Sequence, residues 1–403
     1  MKHPRAASRP YTTELLPAGE AARRLGVSKS TLYAYVSRGM LSALADPDDP
    51  RASRYSSFEV EQLMRRRGQG RRAEQQIPGT MTQGLQVLDT ALTGIIEGQP
   101  VYRGRAATTL AAEGATLEDV ARLLWQFGPS DPFAGPAPEL GPPWLDGVHH
   151  TAAWPLSDRV LARWGAALGG LHGPAWLPDG ETLARACGQH LRAALACFVG
   201  VAPSALPAHE LLARHWALPE GAADLVRQAM VLTADHEMNL IGLSSRQLAS
   251  VGATLGSALM AALCYVSAAF NGGDCARVEA LWDEVTAQPD EAAALSARLD
   301  RGETLPGFDH LYYPAGDPRA MALLALVERW GAAAPMVATV DRLTGWKPSL
   351  DFGLVALRRA IGAPREAATV LLMAPRCVGF LAHALEQRRS GERMWVRSRY
   401  VGP

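Results

Sequence analysis

From about residue 105 onward, apolar residues recur at helical spacing and almost never alternate. A chain so patterned does not build a large sheet; it buries its apolar stripes helix against helix. Helical stretches are expected around 182–200, 210–217, 221–235, 245–270, 276–287 and 319–333. Thr116 stands where it would cap a helix whose Leu117, Val120, Leu123 and Leu124 share one face. Only around Ile95–Arg103 does the pattern allow a short hairpin. The uncharged run from Gln247 to Asn271 is long enough to span a bilayer and contains a G-x-x-x-G match at Gly252 and Gly256. Gln247, Ser250, Thr254 and Ser257 dilute its apolarity, so it reads as a buried central helix, and no membrane association is expected.

The net charge of +0 hides a basic head. Residues 1–72 carry fourteen Lys/Arg against seven Asp/Glu, so the remainder must be acidic by the same excess. A basic head on an acidic body suits a polyanionic partner. Within it, residues 17–25 read as a short helix broken by Gly26, and Ser28 as the N-cap of a second. Leu32 and Val36 face inward, leaving Lys29, Ser30, Thr31 and Tyr33 outward near its start. The run from Asp46 to Pro50 is a loop, and Ser56 with Glu59 has capping-box spacing ahead of Val60, Leu63 and Met64.

Helix, Gly turn, helix and loop is the helix-turn-helix layout. The run Leu25-Gly26-Val27-Ser28-Lys29-Ser30-Thr31-Leu32-Tyr33, with Arg54-Tyr55-Ser56 later, resembles the winged helix of MerR-type regulators. The resemblance implies a DNA-binding domain over 11–67, with Lys29, Ser30, Thr31, Tyr33, Arg38, Arg51 and Arg54 as contacts. A basic linker, 68–80, follows the arginines at 65–67, so DNA could be engaged through residues 11–72. The alternative is a small helical module that only holds subunits together.

The five cysteines show no C-x-x-C spacing and are expected as reduced thiols in a cytoplasmic protein without a signal peptide. His236-Glu237 begins like H-E-x-x-H, but position 240 is Leu, so no zinc helix and no metal site are expected. Phosphate-cradling, dinucleotide and nucleophile-elbow motifs are missing as well, which removes the common NTPase, metalloprotease and hydrolase readings.

Short polar runs remain, set in the helical background. They are Tyr102-Arg103-Gly104, Ala234-Asp235-His236-Glu237-Met238-Asn239, Phe270-Asn271-Gly272-Gly273 and Pro306-Gly307-Phe308-Asp309-His310, then Tyr313, Asp317-Pro318-Arg319, Lys347-Pro348-Ser349-Leu350-Asp351-Phe352 and Arg376. In this order they resemble the citrate synthase family over about residues 85–403. The resemblance implies a mainly α fold, with a large helical domain (81–273 and 363–403) and a small one (274–362) behind the winged helix-turn-helix head. It implies a homodimer that closes over acyl-CoA and the keto dicarboxylate oxaloacetate, with acyl-CoA as substrate and no permanently bound cofactor. Asp351 matches the base, His310 the residue that polarises the keto carbonyl, His236 a residue that holds the acceptor, and Arg319 and Arg376 its carboxylate clamps. The chemistry asks for the same groups: a positioned base, an enolate donor and arginine forks.

Four positions depart from the family pattern. Asn271 stands where the family carries a catalytic histidine; its amide can donate a hydrogen bond but cannot relay a proton. Asp274 replaces a small residue, and Asp309 a glycine. Near the C-terminus the family's Arg-Pro-Arg run becomes Trp395-Val396-Arg397, so Trp395 takes the place of an arginine that reaches the partner's site. An acceptor less charged or bulkier than oxaloacetate is therefore expected. The competing expectation is a DNA-binding regulator whose helical body senses acyl-CoA or a keto acid without turnover.

Overall fold

The computed structural model describes residues 15–37, 41, 43–46, 49, 52–56, 60, 88–171, 180–268, 274–310, 312–394 and 402. The chain divides into two compact units, one within 1–88 together with 396–403, the other spanning Asp89–Trp395.

In the first unit, strand Leu15–Pro17 leads into helix Ala18–Leu25, a turn at Gly26, and helix Lys29–Ser37. Gly26 is left-handed at φ 62°, and its N–H returns to Ala22 and Arg23 carbonyls, the glycine-dependent stop the sequence predicts. Ser28 caps the next helix, its Oγ accepting from the Thr31 N–H at 3.2 Å. Strands Ala43–Ala45 and Ser53–Ser56 pair antiparallel, and the latter also pairs with Leu15–Pro17. Ala21, Ala22, Leu25, Leu32 and Tyr55 form a small core with Val60. Ser56 therefore closes a strand; the capping box expected at Ser56 and Glu59 is not supported at Ser56, and Glu59 lies outside the described residues. Lys29, Ser30 and Tyr33 are exposed and Thr31 half-buried, while Arg54 pairs with Asp46. Arg38 and Arg51 lie outside the described residues.

The second unit is mainly α. Its sheet has three short strands: Thr93–Ile96 and Gln99–Tyr102 make the expected hairpin, and Arg105–Ala106 adds an unpredicted edge. Helix Leu117–Trp125 starts on Thr116 with a full capping box to Asp119. The expected helix across 247–271 is two: Leu240–Ser250 and Leu255–Leu263. The break falls where Gly252 takes φ 81° and Thr254 caps the second helix through the Ser257 N–H. Gly252 supplies a turn there rather than the small-residue contact inside one helix that a G-x-x-x-G match suggests. Among the described residues, one stretch, Ala367–Ser390, is long and apolar enough to cross a membrane, but it is mostly buried inside this unit. Its helix Cys377–Ser390 packs on Leu240–Ser250, and helix Pro318–Arg329 packs on Leu350–Ala360. These two pairs carry most of the residues described next.

Candidate active site

The polar run at 234–239 links helix Ala222–Thr233 to helix Leu240–Ser250, and each residue in it has a physical task. Asp235 is buried; its carboxylate accepts from Thr93 Oγ1 at 3.0 Å and lies 3.2 Å from His383 Nε2. The Tyr102 hydroxyl sits 3.0 Å from the Asp235 carbonyl and 2.9 Å from that of Val231. Glu237 makes the turn at φ 42°. Asn239 caps the next helix, accepting from the N–H groups of Ile241 and Gly242. This arrangement lets His236 project into a cavity. Gly379 permits the close packing, since a Cβ there would lie 2.4 Å from Asp235 Cγ.

The opposite wall comes from two runs that pair with each other. Ser349 N–H donates to the Gly307 carbonyl at 2.7 Å, and Asp309 N–H to that of Lys347 at 3.1 Å. Gly307 has φ 86°, and a Cβ would strike Val278 and Phe352. The bridge sets His310 beside the start of helix Leu350–Ala360, whose second residue is Asp351. Asp309 takes φ 65°, a conformation that favours the glycine it replaces. The third element is helix Pro318–Arg329, capped by Asp317. Asp317 also accepts two bonds from Arg319, at 3.0 and 2.8 Å, in a fully buried fork. Arg376 precedes helix Cys377–Ser390.

His236, His310, Arg319, Asp351 and Arg376 thus line one cavity of about 230 Å³, with Glu237, Asp274 and Tyr312 among its other walls. Tyr313 ties the site together: its hydroxyl meets His236 Nε2 at 2.9 Å, and Arg319 lies over its ring. Tyr312 N–H donates to His310 Nδ1 at 3.2 Å, so in the neutral ring the proton sits on Nε2. Burial lowers the pKa of His310, and Asp317 only partly offsets it. Burial, then Arg319 and Arg376, hold His236 far below its ordinary range. Both rings are therefore neutral hydrogen-bonding groups near pH 7. Asp351 goes the other way: burial, and then the negative charge of Asp274, push its carboxyl up to about 6. Among the described residues its side-chain partners are weak, Cys275 Sγ at 3.7 Å and Ser349 Oγ at 3.4 Å. A carboxylate poised near neutrality suits a general base. Arg319 Nη1 and Arg376 Nε are buried without a partner among the described residues. Donors of that kind ask for an anionic ligand.

All five of these sequence-predicted residues therefore meet. Asn271, Trp395 and Arg397 lie outside the described residues. The contribution of Tyr313 to His236, and of Cys275 to Asp351, was not expected; each joins residues 76 or 77 positions apart. The run Asp317-Pro318-Arg319 marks Arg319 in the sequence, but its fork to Asp317 was not expected either. No group of three metal-ligating side chains occurs among the described residues.

The family model for the C-terminal domain of citrate synthase matches residues 186–399. A putative citrate synthase 2 of Mycobacterium tuberculosis is 34% identical over 185 residues, covering 43% of this chain and 50% of the relative. Citrate synthase of Haloferax volcanii is 31% identical over 194 residues, 45% of this chain and 51% of the relative. The chain thus spans about half the length of the curated relatives it matches. Among solved structures, citrate synthase from Thermotoga maritima superposes with TM-score 0.64 at 20% identity, covering 81% of this chain and 96% of that one. Citrate synthase of Thermoplasma acidophilum, solved with carboxymethyl coenzyme A and oxaloacetate, gives 0.63 at 20% identity over 79% of this chain and 94% of that one.

Proposed function

The chain belongs to the citrate synthase family, and on that premise we propose that it condenses a short acyl-CoA, acetyl-CoA first, with oxaloacetate or a related keto acid. Asp351 removes a proton from the acyl α-carbon. The carbanion attacks the keto carbon, a C–C bond forms, and the new alkoxide takes a proton. Water then cleaves the thioester, releasing the CoA thiol and a carboxylate. His310 Nε2–H polarises the keto oxygen, His236 orients the acceptor, and Arg319 and Arg376 bind its carboxylate. The Asn271 amide serves as donor to the thioester oxygen. Closure of a large subdomain (81–273 and 363–403) against a small one (274–362), within a homodimer, belongs to the same proposal.

One observation carries this reading. A carboxyl with its pKa raised to about 6 shares a cavity with a neutral histidine donor and two buried guanidiniums. The test is thiol release from acetyl-CoA and propionyl-CoA, with and without oxaloacetate, alongside Asp351→Asn. Acceptor-dependent release that the variant abolishes supports the mechanism; release that persists in Asp351→Asn overturns it. Asn271→His raises the rate if the rest of the site is competent.

A second reading rests on the first unit. The exposed Lys29, Ser30 and Tyr33 follow a tight Gly26 turn at the start of a helix, the arrangement in which a helix end enters a major groove. On this reading the unit binds DNA, and saturating keto acid or acyl-CoA changes the DNA affinity, because coupling between two sites is reciprocal. Binding that ignores both ligands and salt would remove it.

A further inference from the structure

His236 and Arg376 line the cavity, and behind them lies a fully buried pair, Asp235 and His383. Arg376, Gly379 and His383 stand three and four residues apart, so they share one face of the helix that Arg376 precedes. The run from Ala234 to Gly242 lies on that face. The Gly379 N–H donates to the Ala234 carbonyl at 3.1 Å. A Cβ on Gly242 would lie 3.1 Å from the His383 ring, so loop and helix are in close contact at both ends of the run. From the other side comes strand Thr93–Ile96, whose Thr93 Oγ1 donates to the Asp235 carboxylate at 3.0 Å. The same carboxylate lies 3.2 Å from His383 Nε2. Burial alone would raise the Asp235 pKa; His383, then Arg376, reverse that and hold it below its ordinary range, so the group is an anion at neutral pH. Arg376 gains from that anion in turn. Burial and the like charge of Arg319 oppose its ionisation, and Asp235 is the leading group that favours it. Asp317 serves Arg319 by a direct fork, whereas Asp235 serves Arg376 by its charge.

We infer that His383 is a positioning residue for the acceptor: through Asp235 it fixes the direction of His236 and the setting of Arg376 from behind the cavity wall. This rests on the reading in which His236 and Arg376 hold the acceptor. His383 acts through Asp235 rather than on the acceptor itself. Asp235 is the residue before His236, so a carboxylate that shifts or turns carries the His236 backbone with it. Thr93 supports the same carboxylate from the strand, and its loss works in the same direction with a smaller effect. The acyl-CoA depends on Asp351 rather than on this pair, so the inference separates the two substrates.

The test is calorimetric titration of the full chain with oxaloacetate, together with KM and kcat from thiol release with acetyl-CoA, for the unaltered protein and for His383→Leu, His383→Gln and Thr93→Val. Leucine fills the space of the ring but offers the carboxylate no partner; glutamine restores an N–H donor. His383→Leu is expected to weaken oxaloacetate binding about tenfold or more, the scale on which a buried charged group loses a partner. The KM for oxaloacetate rises with it, while that for acetyl-CoA stays within about twofold, and His383→Gln recovers most of the loss. Thr93→Val shows the same pattern at about two- to fivefold, and it decides the matter if His383→Leu does not fold. Unchanged oxaloacetate binding in His383→Leu, or in Thr93→Val where the leucine variant is unfolded, overturns the inference. A loss that glutamine does not repair, or one in which the KM for acetyl-CoA rises equally, also overturns it, because that is a general loss of structure. Weakened binding in the variants with no thiol release from the unaltered chain would uphold the inference and sink the condensation reading instead. Thiol release with unchanged binding in the variants would do the reverse, and no oxaloacetate binding by the unaltered chain overturns both.

Discussion

His236, His310 and Arg319 are each tied by a hydrogen bond to a neighbouring protein group: His236 to the Tyr313 hydroxyl, His310 accepting from the Tyr312 N–H, and Arg319 donating to Asp317. In the same cavity, Asp351 is touched by a thiol at 3.7 Å and a hydroxyl at 3.4 Å. The first set must keep one charge state and one direction, so strong partners cost it nothing in function. The base must lose and regain a proton, and a strong donor would hold it ionised and weakly basic. Burial with feeble partners keeps its proton affinity high. The difference teaches that orientation and reactivity are supplied by separate means in one small cavity.

The largest expected effect breaks the loosely held wall. Asp351→Asn should lower turnover about 10²–10⁴-fold, the usual worth of a positioned base, with the protein still folded. The same change should raise stability. The folded carboxyl titrates at about 6 against an ordinary 3.8, so folding takes up a proton between those values. The native state is favoured at low pH, and stability is lost as pH rises through 4 to 6. At 1.36 kcal/mol per tenfold change in proton affinity, the amide should gain about 3 kcal/mol at pH 8, read by denaturant titration. In the unaltered protein, activity should fall tenfold per pH unit below about 6. A variant that is both inactive and no more stable at pH 8 would mean that Asp351 is not held at a cost.

The tightly held wall should break differently. Asp317→Ala removes the partner of a fully buried arginine and the cap of its helix, and should destabilise the fold by about 3–5 kcal/mol. Here stability and acceptor binding fall together, whereas at Asp351 stability rises as activity falls. If Asp317→Ala left the unfolding midpoint unchanged, the contrast between the walls would not hold.

How far the sequence exposed this contrast depends on the range of each contact. The five residues expected at the site stand in short runs next to helix ends, where caps and turns leave a local signature, as in Asp317-Pro318-Arg319 and Asp235-His236-Glu237-Met238-Asn239. The pairing of Gly307–Asp309 with Lys347–Ser349, and the reach of Cys275 to Asp351, depend on tertiary packing and leave none. Gly252 misled the reading because a glycine that turns the chain and one that lets helices approach look alike in a string of letters. Asp274 was recognised as an added charge, but only the structure puts it in the same cavity wall as Asp351.

A milder change sharpens the comparison. Tyr313→Phe leaves the ring under Arg319 but removes the hydroxyl that meets His236 Nε2. One such bond is worth about 0.5–1.5 kcal/mol, so the KM for the acceptor should rise about 2–10-fold with kcat little changed. A fall in kcat alone would move His236 from holding the acceptor to the chemical step.

The smallest effect is expected at Asp309, which precedes His310 and whose N–H donates to the Lys347 carbonyl. At φ 65° an L side chain is strained by about 1–2 kcal/mol, less for Asp than for most, and glycine removes that strain while adding about 0.4–1 kcal/mol of unfolded-state freedom. Asp309→Gly should therefore stabilise the protein by less than about 1 kcal/mol. The Asp309 carboxylate also raises the proton affinity of His310, though less than Asp317 does. Its loss pushes that ring further toward the neutral form it already holds, so the activity profile above pH 6 should shift by less than twofold. A larger shift would show that His310 changes its protonation state during turnover, and the line drawn here between fixed and titrating groups would have to pass through it.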